Sequence, residues 1–170
     1  MDTLYWDFTD KNLRPHILYC SYGSLKDPDH DPGKDNKHTA DILTFVKWEE
    51  FTKWKDTSLN HRPEDYKALK VELENRLMEE IKIHRPELYK LIDHHELSTP
   101  LTTFHYDKAP LGGIYGLDSN MERYANTNLK CRTPLENFYL SGVDIYFPGF
   151  LSAIFSGLGT AAAIDRRVFR

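Results

Sequence analysis

Hydrophobic positions follow three different rhythms along this chain. Arg14 to Ser21 (RPHILYCS) and Asp41 to Trp48 (DILTFVKW) are short runs rich in β-branched and aromatic residues, and each predicts a strand. Between them Ser24 to Thr39 carries two Asp-Pro pairs and a Pro-Gly pair, which predicts a loop. The rhythm then lengthens: Leu69, Leu73, Leu77 and Ile81 recur every four residues, with Tyr66 one turn earlier. Pro63 suits the first helical turn, Glu64 and Asp65 suit its positive end, and Arg85-Pro86 stops it, so an amphipathic helix is predicted over 63–84. Glu87 to Leu97 is open between a short helix and a strand. Pro100 marks a helix start with Ser98 or Thr99 as cap. Ala109 to Leu117 is a glycine-rich loop, and Asn137 to Ser141 is predicted as a compact buried strand ended by Gly142.

From Ile145 to Ile164 no residue is charged. The length meets the roughly 20 residues of a membrane span only if the helix runs through Pro148. Pro148 is better read as a helix start, with the helix from Gly149 to about Arg166, too short to span comfortably. Along it Ser152, Ser156, Gly159 and Ala163 form a stripe of small residues, which lets the helix approach another backbone or a bound ring closely. Its start carries unpaired N–H groups and a partial positive charge. On these grounds a core helix and the floor of a cofactor site stand about even. Asp144, just before it, is suited to accept hydroxyl hydrogen bonds or to cap the turn. The elements add up to an α/β chain of the α+β kind.

Composition narrows the function. The 170 residues are 40% hydrophobic and 28% charged, which fits a folded domain and neither disorder nor a membrane bundle. A net charge of −4 excludes an overall basic field, so no nucleic-acid partner is expected. The aromatic share of 13% fills a core or lines an apolar site. Cys20 and Cys131 fit no metal or redox spacing. The first twelve residues lack the n- and h-regions of a secretory signal; the location is left open, with a cytoplasmic or peripheral membrane one expected. Their apolar cluster, Leu4, Tyr5, Trp6 and Phe8, has nothing upstream to pack on, as if the chain began part-way through a fold.

Simple motif chemistry is sparse. Of the eight histidines, the adjacent His94 and His95 cannot supply the i, i+4 pair of HExxH, so no metal is expected. Neither Ser24 nor Ser141 sits in G-x-S-x-G. Gly112-Gly-Ile-Tyr-Gly116 is not the dinucleotide fingerprint; it reads as a tight turn, or as backbone brought close to a flat ligand.

Taken in order, four motifs form a pattern: Ser98-Thr-Pro-Leu-Thr, Gly113-Ile-Tyr-Gly-Leu, Arg132-Thr-Pro-Leu-Glu-Asn-Phe-Tyr-Leu-Ser-Gly, and Asp144 followed by Pro148-Gly-Phe-Leu-Ser-Ala-Ile-Phe-Ser-Gly. The pattern resembles the C-terminal part of the FAD-dependent phytoene desaturase, carotenoid isomerase and retinol saturase family. Ser24-Leu-Lys-Asp-Pro and Thr44-Phe-Val-Lys-Trp resemble its retinol saturase-like branch. The resemblance implies a substrate-side sheet and helix over 1–97, and over 98–170 the closing strand and helix of an FAD-binding domain. It implies FAD contacts from Gly142, Asp144, Pro148, Gly149, Phe150, Leu151 and Ser152. Gly113, Tyr115 and Gly116 would lie on the substrate side. The implied activity is saturation, desaturation or isomerisation of C–C double bonds in a polyene isoprenoid such as a carotenoid or retinoid, a long apolar substrate compatible with peripheral membrane contact.

One departure is large. The family's G-x-G-x-x-G unit, which holds the ADP half of FAD, is absent from this sequence. The chain is therefore expected to be a fragment that shares FAD with an N-terminal nucleotide-binding part and is inactive alone. No acid–base residue is identifiable; Tyr115 and His105 lie near the motifs, with a structural role the default for each. The alternative is a non-catalytic module that holds lipid or a partner on the same apolar surfaces.

Overall fold

The computed structural model describes residues 4–35 and 37–169. The chain divides into two compact units, Met1–His105 and Tyr106–Arg170.

In the first unit β1 (Tyr19–Ser21) pairs antiparallel with β2 (Asp41–Leu43), Cys20 opposite Ile42. The two predicted strands are thus present but only three residues long each. α1 (Pro32–Asp35) lies in the connection between them. Ser24 and Thr39 close that connection reciprocally: Ser24 N–H donates to Thr39 Oγ1 at 3.2 Å, and Thr39 N–H to Ser24 Oγ at 2.9 Å. Trp48–Trp54 is 3₁₀-helical rather than a continuation of the second strand.

α2 (Glu64–His84) is the long amphipathic helix, followed by α3 (Pro86–Tyr89) and α4 (Pro100–Tyr106). Pro63 sits just outside α2, and Arg85 leaves helical geometry (φ −141°, ψ 61°) as a residue before proline must. Tyr66, Leu73 and Ile81 are buried along one face, as the four-residue rhythm predicts. Thr99 precedes α4, but its hydroxyl meets Tyr66 Oη at 2.8 Å instead of capping the helix.

The core gathers Trp6, Phe8, Phe51, Trp54, Tyr66, Leu73 and Leu101. Trp6 and Phe8 of the N-terminal apolar cluster pack against residues further along the chain. Arg76 of α2 fastens that segment, donating to Phe8 O and Leu13 O at 2.7 Å each, with its guanidinium 4.6 Å from the Trp6 ring centroid. Arg62 is buried and donates to Thr57 Oγ1 at 3.1 Å and to the carbonyls of Trp54 and Leu101 at 3.4 Å each. A buried guanidinium is tolerated here because neutral acceptors surround it.

The second unit contains α5 (Met121–Ala125) and α6 (Phe150–Ile164). The strand predicted at 137–141 reduces to a single bridge between Arg132 and Tyr139, and Phe138 is exposed rather than buried. No helix among the described residues is long and apolar enough to cross a membrane.

Candidate functional site

α6 begins at Gly149, whose φ of 93° and ψ of −179° lie in a region open essentially to glycine alone. The helix turns its small residues inward. Ser152 and Ser156 are fully buried. Ser152 Oγ accepts the N–H groups of Tyr146 (3.3 Å) and Phe147 (3.2 Å). Ser156 Oγ accepts the Gly142 N–H at 2.8 Å and lies 3.0 Å from both Gly142 O and Ala153 O. Thr160 Oγ1 donates to Leu140 O at 2.7 Å. A Cβ on Gly159 would overlap the Tyr146 hydroxyl. The stripe of small residues is therefore filled by the chain's own segment 140–147.

The opposite face is apolar and open. Phe150, Leu151, Ile154, Phe155 and Leu158 are all exposed, Phe150 at 72%. A trough of about 480 Å³ runs along part of it, lined by Tyr146, Phe147, Phe155, Leu158 and Gly159. The Tyr146 hydroxyl sits 3.2 Å from the buried Cys131 sulfur. That hydrogen bond, with desolvation adding to it, raises the phenol above its ordinary pKa. A larger depression of about 780 Å³ along α2 is lined by charges already paired with one another, Lys11 with Glu72 and Lys67 with Glu64. It offers no convergent chemistry.

The glycine-rich loop meets the turn before α6. Leu117 N–H donates to Asp144 Oδ1 at 2.7 Å. Gly116 (φ 83°) lies so close that a Cβ there would overlap Asp144 Oδ1 and stand 2.8 Å from Val143 Cγ2. Tyr115 reaches the helix start, its Cδ1 3.8 Å from where a Gly149 Cβ would be. Tyr115, Gly116, Asp144 and Gly149 thus come together. Gly113 does not join them: a Cβ there would meet only Pro110 O, 3.5 Å away in its own loop. Gly142 (φ 128°) faces open space, Pro148 is half-buried, and Ser152 points inward, so its hydroxyl serves the turn.

One residue of this arrangement escapes sequence reasoning. Arg123 on α5 is buried, donates to Leu117 O, and donates to Val143 O at 3.1 Å. It clips the same loop to the same turn that Asp144 joins. Asn120, whose Oδ1 accepts the Arg123 N–H at 2.8 Å, is a readable cap signal for α5. Nothing in that signal marks the arginine.

The start of α6 presents backbone N–H donors, with the Asp144 carboxylate in the turn before it. α6 carries no acidic side chain in its first turn, so its N-terminal N–H groups set the local field. Exposed Phe150 and Leu151 flank them. Asp144 commits Oδ1 to the Leu117 N–H.

No protein-family profile and no solved structure matches the chain. Curated proteins do match. The chain is 32% identical over 157 residues to the all-trans-retinol 13,14-reductase of Danio rerio and 27% identical over 154 residues to that of Homo sapiens. It is also 28% identical over 157 residues to a Danio rerio protein named inactive all-trans-retinol 13,14-reductase. Each match covers 89% of this chain and 25% of the relative, so the chain spans about a quarter of the length of these proteins. These matches cover most of this chain and support the retinol saturase-like branch of the family its motifs resemble.

Proposed function

We propose that this chain is the C-terminal portion of a flavin-dependent oxidoreductase that acts on a C–C double bond of a polyene isoprenoid. A retinoid is the substrate class, because the relatives are named for all-trans-retinol. The observation that carries the reading is the meeting of Tyr115 and Gly116 with Asp144 and Gly149, which joins two separate family motifs into one wall. FAD would supply the redox chemistry. The N–H groups of Gly149, Phe150 and Leu151 would hold its ring edge and stabilise negative charge there. Asp144 and Gly142 would face its ribityl or pyrophosphate part. Phe147, Phe150 and Leu151 would exclude water, and Gly113, Tyr115 and Gly116 would border the substrate. The ADP half would be held by polypeptide carrying the G-x-G-x-x-G unit absent from this sequence, so the chain alone is proposed not to turn over.

The outer face of α6 is where that polypeptide would pack, or where the protein would touch a membrane to take up a lipid-soluble substrate. A second reading has its own support: one relative of equal coverage is named inactive, and the same open apolar face would serve a non-catalytic module that holds lipid or a partner. A graft separates the two. This chain replaces the matching quarter of the Danio rerio reductase, and the product formed from all-trans-retinol is analysed. Saturated product supports the enzyme reading; a folded graft that binds retinol without converting it supports the module.

A further inference from the structure

Away from this wall, two histidines in the connection between β1 and β2 approach each other closely. His30 Nε2 lies 2.9 Å from His38 Nδ1, with the ring planes inclined by 75°. No cluster of three or more metal-ligating side chains exists among the described residues, so any site here is built on this pair.

The geometry points to a bis-imidazole clamp for a late divalent transition metal, Cu²⁺ above others, and we propose that His30 and His38 bind such an ion with water completing its coordination. At metal–nitrogen distances of about 2.0–2.1 Å, two nitrogens this far apart subtend about 90° at the metal. That is the cis angle of tetragonal Cu²⁺ or Ni²⁺, and it is well short of the ~109° of tetrahedral Zn²⁺. Imidazole suits all three ions, so the angle and the general affinity order set the preference.

The segment that carries the pair is held locally. Besides the Ser24–Thr39 closure at its base, Asp27 Oδ1 accepts the Asp29 N–H at 2.9 Å, and Asp31 Oδ1 accepts the Gly33 N–H at 2.9 Å. Residues 24–39 carry four aspartates against three lysines, a local balance that favours a cation. Without a metal the same approach closes as an N–H···N hydrogen bond. On binding, that hydrogen bond gives way and the two rings turn so that both nitrogens direct a lone pair at the metal.

Calorimetric titration of the full chain with Cu²⁺, Ni²⁺ and Zn²⁺ tests this, with electron paramagnetic resonance of the Cu²⁺ form. The expected result is one saturable Cu²⁺ site per chain with two imidazole nitrogens bound. That site should be lost in His30→Gln and in His38→Gln, kept in a His94→Gln/His95→Gln control, and weakest for Zn²⁺. A one-to-one site that survives either single substitution, or no saturable uptake by the unaltered chain, overturns the proposal. Circular dichroism of each variant shows that the loss is not unfolding.

Discussion

Asp144 and Leu117 are 27 residues apart in sequence, yet the Leu117 N–H donates to Asp144 Oδ1 at 2.7 Å. This bond ties a glycine-rich loop to the turn that launches α6. Gly116 is the residue that makes it possible, since only a missing side chain leaves room for the carboxylate. Gly116→Ala is therefore expected to destabilise the second unit by about 3 kcal/mol or more, positive φ and overlap acting together. Gly142→Ala, also at positive φ but facing open space, should cost about 1 kcal/mol. Hydrogen exchange at the α6 amides reads both. Equal effects would show that the overlap with Asp144 is unimportant.

Ser156→Ala removes the acceptor for the Gly142 N–H from a fully buried position. The orphaned donor is expected to cost about 1–3 kcal/mol. Protection of the amides around Gly142 should fall before that of the first unit.

Arg123→Met keeps the bulk of the side chain and removes both carbonyl contacts. The Leu117 amide should exchange faster, and the loop should loosen from the turn at Val143, with about 1–3 kcal/mol lost. Unchanged exchange at Leu117 would mean that Asp144 alone holds the loop.

Tyr146 gives an alkaline signature. Its pKa is raised in the folded chain, first by the hydrogen bond to Cys131 and then by desolvation. The folded form thus keeps the phenol proton longer than the unfolded form does. The associated stability is complete below the ordinary phenol pKa of about 10 and declines as pH rises through the higher folded value. In Cys131→Ala the Tyr146 ionisation, followed by its ultraviolet difference spectrum, should move down toward that ordinary value.

Asp65 gives the acid counterpart. Trp54 Nε1 donates to its Oδ1 at 3.0 Å and Lys53 Nζ lies 3.1 Å from its Oδ2, and these hold its pKa below the usual carboxylate value. Its stabilising contribution is present above the unfolded pKa and fades as pH falls through the lower folded one. Asp65→Asn should flatten the acid limb of a stability-against-pH curve.

Much of this arrangement is legible in the sequence where the signal is local and repeated. The rhythm of Leu69, Leu73, Leu77 and Ile81, bounded by Pro63 and Arg85-Pro86, marks α2 to within a residue of its observed ends. Pro148 and the small residues after it locate α6, observed over Phe150–Ile164. Strands fared worse because pairing, unlike a helical turn, depends on a distant partner. Asn137 to Ser141 has strand composition, but among the described residues it forms a single bridge, Tyr139 with Arg132. The core role of Trp6 and Phe8 was hidden for a related reason: their partners, Phe51 and Leu73 among them, lie at least 40 residues further along. Arg123 and the His30–His38 approach are tertiary juxtapositions with no periodicity to reveal them.

Residues 142–152, with Tyr115 and Gly116, are proposed to form one wall of a flavin site. The most direct test is the flavin content of the purified graft, in which this chain replaces the matching quarter of the Danio rerio reductase, read from the visible flavin absorbance per polypeptide. One flavin per graft is expected, lost on Gly149→Ala, and none on this chain alone. A folded graft without flavin, or stoichiometric flavin on the isolated chain, would contradict the proposal.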